Sequence, residues 1–454
     1  MWKGKNINDF KTELKNTVPK LLKRYNVPGT AIGLIENGKV VCTLNYGLSD
    51  KKNNKPVDDN TIFQVASVSK SIAALGVMHL VDQGKIKLDD PAEKYLTRWH
   101  IPASKFDKNK VTIRRLLSHT AGLSVHGYGG TKPGKKIPSL EESLSNGVKI
   151  IAEPGSKFMY SGGGYTVLQL IVEEVTKKPF DEYMHDEILK PLGMEHSTYS
   201  NNVTGANMSK AYRVLGQLLP NYNFTEEAAA GLKTTPLDFM KFMIASMDED
   251  NGEMQDSSII KGKTLDTMHT PVKADYGLGC FVDYLSDGST LISHGGADTG
   301  WRAQYGFIPK SRDGFVAFTN SGSGLELTND VMDLWIKYET GTMPQQYNFN
   351  NKIRNIMTGA AVSMGVLLLI FAILFVLKVK KGKRVFLSKT ENKSYIKLGL
   401  RLSAPLFLCI IWCLFFYGLD VASDIPYAFN NASFLFIAWT IFLFITGLFP
   451  KTTN

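Results

Sequence analysis

The sequence predicts an α/β fold, one antiparallel sheet flanked by helices, followed by a C-terminal α-helical transmembrane domain. Two patterns carry that expectation. Hairpin signals gather at both ends of residues 1–340 around a helical middle, and three uncharged apolar runs follow one another after residue 355. A chain of 454 residues is long enough for one large globular domain and a separate anchor. The expected division is 1–340 for the globular domain, 341–355 for a linker and 356–454 for a three-helix membrane domain.

Phe10, Leu14, Leu21 and Leu22 fall on one face of an amphipathic surface helix. Ala31–Ile35 and Lys39–Leu44 read as strands joined at Asn37-Gly38, a pair suited to the positive φ angles of a tight hairpin turn. Thr61–Ala66 is an apolar approach to Ser71–Met78, whose small residues suit a mostly buried helix. The turn Pro154-Gly155 precedes a helical period over Tyr165–Val175. Further hairpins join Tyr276–Tyr284 to Ser289–Ser293 through Asp287-Gly288, and Gln304–Ile308 to Phe315–Thr319 through Asp313-Gly314. One antiparallel sheet can hold all three. Gly341–Asn351, with Pro344, two Gln and three Asn, reads as a tether.

Ile356–Leu377 is an uncharged run of 22 residues, enough to cross a hydrocarbon core. Leu402–Leu419 and Ala432–Phe449 add two runs of 18. Any one alone would suit a buried core helix; three in succession argue for a multi-pass anchor in a bacterial-type cell membrane, with the lipid bilayer as partner. Residues 378–401 hold nine Lys or Arg against Glu391, so this connection belongs on the cytoplasmic side. Residues 420–431 carry two Asp and no Lys or Arg, as an external loop would, which puts residues 1–340 outside the cytoplasm. The formal charge of +10 minus the +8 of residues 378–401 leaves +2 elsewhere, so nucleic-acid binding is not expected. Met1–Thr30 contains no apolar core of a signal peptide. Either a leader is missing from this sequence, the favoured reading, or the first membrane segment exports the domain unaided. Cys42 and Cys280 lie in strand-like segments and read as buried thiols, with a disulfide between them as the alternative; Cys409 and Cys413 lie in the second apolar run.

Chemistry enters at Ser67-Val68-Ser69-Lys70. On a helix, Ser67 lies about 60° round the axis from Lys70 and Ser69 about 100°, so Ser67 is the better partner for the amine. A neutral lysine can take the Ser67 proton when burial or nearby positive charge lowers its pKa, and a helix start offers N–H groups to a developing anion. Tyr160-Ser161-Gly162 supplies a phenol on a loop fixed by the following helix, and His294-Gly295-Gly296 ends a strand where missing side chains allow close approach of a substrate backbone. His119 reads as structural within Ser118-His119-Thr120-Ala121-Gly122. The remaining histidines, 79, 100, 126, 185, 196 and 269, show no metal-ligand spacing, and no G-x-S-x-G elbow is present.

In that order, S-x-x-K, then Tyr160, then His294-Gly295-Gly296, the chain resembles the serine β-lactamase and penicillin-binding-protein superfamily, especially its class C-like esterase and D-aminopeptidase branch. Leu116–Leu123, Lys190–Met194 and Ala229–Thr235 are similar to recurrent segments of that branch, and the likeness extends over roughly residues 10–335. It implies a class C β-lactamase-like sandwich and a hydrolase working through an acyl-enzyme without metal or cofactor. It further implies Ser67 as nucleophile, Lys70 and Tyr160 as proton carriers, and His294 as an aid to Tyr160 or substrate. Backbone N–H groups of Ser67 and Ala297 would form the oxyanion hole, with Gly162, Gly295 and Gly296 along the substrate. Two departures stand out: Gly162 replaces the usual Asn of the second motif, and His294 replaces the usual Lys of the third. The layout of a hydrolase followed by three membrane helices is similar to prodrug-activating peptidases of nonribosomal-peptide pathways, such as the colibactin-maturing enzyme. The implied substrates are small peptides, amides or esters, including N-acyl-D-amino-acid amides. The alternatives are a D,D-carboxypeptidase or β-lactamase acting on peptidoglycan or β-lactams, and a β-lactam-binding sensor or immunity protein that is acylated without turnover.

Overall fold

A computed structural model describes residues 6–203, 207–247, 259–386, 395–414, 428–449 and 451. It divides into two units, Met1–Met343 and Pro344–Asn454. The first is built on strands β1 (Gly29–Glu36), β2 (Lys39–Asp50), β3 (Lys55–Pro56), β4 (Phe281–Tyr284), β5 (Thr290–Asp298), β6 (Trp301–Ile308) and β7 (Asp313–Thr319). They form one antiparallel sheet in the order β3-β2-β1-β7-β6-β5-β4. The interior strand β1 is buried along nearly its whole length, which its unbroken apolar run Ala31–Ile35 accommodates because helices cover both faces.

On one face lie α1 (Ile7–Tyr25) and α5 (Gly324–Thr340). Helix α1 buries Phe10, Leu14, Val18, Leu21 and Tyr25, spaced three and four apart on one stripe, and Asn6 caps its start by accepting from the Asp9 N–H. The Tyr25 hydroxyl donates to Asp330 Oδ2 at 2.7 Å and locks α1 to α5. The other face carries α4 (Pro236–Ser246) and a helical region containing α2 (Ser69–Asp82) and α3 (Gly162–Thr176). Helix α2 is apolar on almost every side and is buried accordingly, from Ser69 to Met78 and again at Leu80. A short ribbon, Phe63–Gln64 against Lys233–Thr234, leads into α2.

Two hairpins turn where expected, with Asn37 and Gly38 both at positive φ and Gly288 at +81°. The third does not. Asp313 and Gly314 pair within β7, against Ile308 and Phe307, and the turn sits one step earlier with Arg312 at φ +57°. The Asp313 carboxylate is occupied by the Asn37 N–H at 2.9 Å, and the bare side of Gly314 lies against Met243 and Met247. The two residues that signal a turn are used for packing. Cys42 and Cys280 are free thiols.

The second unit contains α6 (Gln345–Lys380), α7 (Tyr395–Cys413) and α8 (Ala428–Gly447). Most of the stretch read as a linker is helical from Gln345 onward, with Pro344 at the cap position where its missing N–H costs nothing. Of the two charged-loop expectations, residues 387–394 and 420–427 lie outside the described residues.

Candidate active site

Strand residue Gln64 is followed by a tight 3₁₀ turn, Ala66–Val68, before α2 begins at Ser69. Ala66 sits at φ +48°, a left-handed conformation costing about 1–2 kcal/mol for a residue with a Cβ. That cost is met by bonds around Ser69. The buried Ser69 hydroxyl donates to the Ala66 carbonyl at 2.5 Å and accepts from the Leu232 N–H at 2.9 Å. Ser69 is the brace of the turn, and the half-exposed Ser67 is its presented hydroxyl.

Lys70 lies one turn on, 2 % exposed, and its Nζ donates to Ser67 Oγ at 3.1 Å and to the Ala229 carbonyl at 2.7 Å. The Tyr160 ring is 5.0 Å from Nζ and the Tyr165 ring 5.7 Å. Burial among these groups pulls the ammonium down to about 7, so the amine is half deprotonated near neutrality. The Ala229 carbonyl comes from a π-helical turn, Glu227–Gly231, that faces α2. It supplies a hydrogen-bond partner for Lys70 beside a second motif that has no Asn. Gly162 itself is buried in the first turn of α3, and a Cβ there would meet the His126 carbonyl at 3.1 Å and the Tyr128 ring at 3.2 Å.

Tyr160 directly precedes Ser161, the N-cap of α3, whose hydroxyl accepts from the Gly164 N–H. Burial raises the phenol well above its ordinary range, and a hydrogen bond with Ser67 opposes that shift. The phenol is therefore neutral and able to give up a proton to a stronger base. His119 holds this segment from three directions. Its carbonyl accepts from the Met159 N–H at 2.7 Å, its Nδ1 accepts from the Ser161 N–H at 3.1 Å, and its ring packs at a tilt with its centroid 4.2 Å from that of Tyr160. The proton of this neutral, buried imidazole is thus on Nε2.

His294 stands on β5 with its ring centroid 6.2 Å from Tyr160. Its Nδ1 pairs with the Gly295 carbonyl at 2.6 Å, and among the described residues its buried Nε2 has no partner and no hydrogen bond joins the two rings. Burial, then the nearby Lys70, lowers its pKa to about 3. The third motif presents a neutral imidazole. Gly296 explains how β5 reaches the nucleophile, since a Cβ there would lie 2.1 Å from the Val65 carbonyl. This close approach sets the adjacent, exposed Ala297 beside the turn that bears Ser67. Gly295, on the opposite side of the pleat, faces Gln304.

Ser67, Lys70 and Tyr160, spread over 94 positions of sequence, are in direct contact, with His294 behind them. Sequence reasoning missed the Ala229 carbonyl, which no side-chain pattern can reveal; His119, read as structural, is structural, and what it supports is Tyr160. The arrangement can transfer an acyl group to Ser67 with proton traffic through Lys70 and Tyr160.

Comparison with known proteins points the same way. Protein flp of Staphylococcus aureus strain MRSA252 is 25% identical over 457 positions, covering 95% of this chain and 86% of that protein. The chain covers 64% of the flp of strain MW2. Among solved structures, the octameric penicillin-binding protein homologue of Pyrococcus abyssi superposes with a TM-score of 0.65 at 26% identity, over 76% of this chain and 81% of that one. The D-amino acid amidase of Ochrobactrum anthropi superposes at 0.62 and 22% identity, over 73% and 99%. The model of the family described as Beta-lactamase matches residues 14–332, and with the Ser67, Lys70 and Tyr160 cluster in place the chain belongs to that family of serine hydrolases.

Proposed function

We propose that the protein is a membrane-anchored, outward-facing hydrolase that cleaves amide bonds of N-acyl-D-amino-acid derivatives through a Ser67 acyl-enzyme. The observation that carries the reading is the buried Lys70 amine, 3.1 Å from Ser67 Oγ and poised near pH 7. Neutral Lys70 accepts the Ser67 proton as Oγ attacks the acyl carbon. The oxyanion is met by the N–H groups of Ser67 and Ala297. The Tyr160 phenol protonates the departing amine and recovers its proton from Lys70. Water then attacks the ester, with the same two groups returning the proton to Ser67.

The substrate class is supported by the third motif. A neutral His294, tied to the Gly295 carbonyl, offers no cation to a free carboxylate at the scissile end, as a D-alanyl-D-alanine peptide would need. The solved D-amino acid amidase with the same fold supports amides as substrates. Anchoring is supported by α6, which has a mean hydropathy of 2.9 over its most apolar 18 residues and leaves Val362, Leu369, Ile373 and Leu377 exposed. The shorter apolar helices 402–413 and 432–447 are consistent with further passes.

The test is covalent labelling followed by turnover. A fluorophosphonate should modify Ser67 alone, Ser67→Ala should abolish labelling and Ser69→Ala should retain it. Turnover of N-acyl-D-aminoacyl amides should exceed that of D-alanyl-D-alanine peptides and β-lactams in kcat/KM. Label on Ser69, or a preference for D-alanyl-D-alanine peptides, would overturn the assignment.

A further inference from the structure

A cleft of about 540 Å³ is lined by Gln64, Lys233, Lys55, Lys210, Asp50 and Asn221, among others. Its wall includes the two-stranded ribbon in which Gln64 pairs with Lys233. The same ribbon feeds the active site. Gln64 precedes Ser67 by three residues, at most about 10 Å of chain. Lys233 follows Ala229, the acceptor for Lys70, by four.

Two amide oxygens in this cleft are left over. Gln64 is 1 % exposed; its Nε2 donates to the Tyr222 carbonyl at 2.8 Å, and its buried Oε1 has no partner among the described residues. The Asn221 Nδ2 donates to the Ser209 carbonyl, and its Oδ1 is likewise buried without a partner among the described residues. Buried acceptors left open are costly unless a ligand supplies N–H or O–H groups. The cleft is also rich in lysine. Lys55, Lys210 and Lys233 line it with Asp50; Lys55 Nζ donates to Asn207 Oδ1 at 3.0 Å, Lys210 acts on the Asp50 carboxylate, and Glu227 acts on Lys233 from outside the cleft. Lys233 Nζ donates to the Ser200 and Gly231 carbonyls, two of its three possible bonds.

We propose that this cleft is a subsite for the acyl-side end of the substrate, taking a segment that offers amide N–H groups to Gln64 and Asn221 and a carboxylate to Lys210 and Lys233. The inference rests on the acyl-enzyme reading of Ser67 and deepens it. The preferred cap on the D-amino acid is polar and anionic rather than a fatty chain.

Full-length protein in detergent would be assayed with N-succinyl-D-alanine 4-nitroanilide and its neutral counterpart, N-pentanoyl-D-alanine 4-nitroanilide. The succinyl substrate should show a KM about tenfold lower, the scale of one charge-assisted hydrogen bond. Lys210→Glu, a change at an exposed side chain, should raise that KM about tenfold while leaving kcat and the pentanoyl KM unchanged. Equal KM values for the two wild-type reactions, or a Lys210→Glu effect shared by both substrates, would overturn the proposal. Calorimetry of N-succinyl-D-alaninamide binding to Ser67→Ala protein decides it even if neither anilide is cleaved. Binding weakened about tenfold by added Lys210→Glu supports the cleft, and binding indifferent to that change refutes it. Failure of the acyl-enzyme reading would appear separately, as no Ser67 adduct with either anilide.

Discussion

At Lys70 a single ionisation decides whether the enzyme has a base. The amine is buried beneath Tyr160 and Tyr165, and this burial penalises its charged form strongly enough to bring the pKa down to about 7 even though Nζ donates to a carbonyl and a hydroxyl. Only the neutral form can accept the Ser67 proton. Activity must therefore rise as pH climbs through about 7, and below it kcat/KM should fall about tenfold per pH unit. A pH–rate profile on an uncharged substrate checks this, and a flat profile between pH 6 and 8 would rule out Lys70 as the base. Lys70→Arg, permanently protonated, should lose about 10²–10⁴-fold in kcat at every pH. The pair was legible in the sequence because three-residue spacing on a helix is a local rule. Its surroundings were not. The Ala229 carbonyl carries no side-chain signature, and the support that His119 gives Tyr160 depends on a fold that brings together rings 41 residues apart.

Strand β5 and the Ser67 turn are held as one element by the absence of a side chain at Gly296. The Val65 carbonyl occupies the place a Cβ would take, and backbone cannot swing aside as a flexible side chain can. Gly296→Ala should push β5 off the turn and move Ala297 from its proposed place at the oxyanion. We expect a loss of about 1–3 kcal/mol in stability, the usual cost of overpacking, together with a fall in kcat larger than any change in KM. Thermal denaturation and steady-state kinetics measure both; wild-type kcat in the variant would break the link between this strand and catalysis. The strands were legible because two-residue alternation between turn signals is strong, and all three hairpins are present. The last turn was misread because Asp313 and Gly314 serve a hydrogen bond to Asn37 and contacts with Met243 and Met247. The expected tether failed in another way. Polar Gln and Asn residues suggest a loop, yet nothing after Pro344 stops a helix, and Gln346 bonds Asn350 one turn along it.

For the whole molecule, the distribution of charge fixes the proposed topology. Residues 378–401 hold +8 of the formal +10, directly after the 22 uncharged residues that suffice for one passage. Moving that cluster across a bilayer would cost far more than leaving it inside, whereas the globular unit carries little net charge and no comparable barrier of sign. Helix α6 spans about 54 Å at 1.5 Å per residue, longer than a hydrocarbon core, so its polar first turns from Gln345 extend beyond the apolar window. The proposed topology would put the hydrolase outside, close to substrates that approach along or through the membrane. Protease added to intact cells should degrade residues 1–343 and spare 378–401, and a cysteine placed at Lys383 should react with a membrane-impermeant maleimide only after lysis. Protection of the hydrolase unit in intact cells would reverse the topology and, with it, the argument that the enzyme meets its substrates outside the cytoplasm.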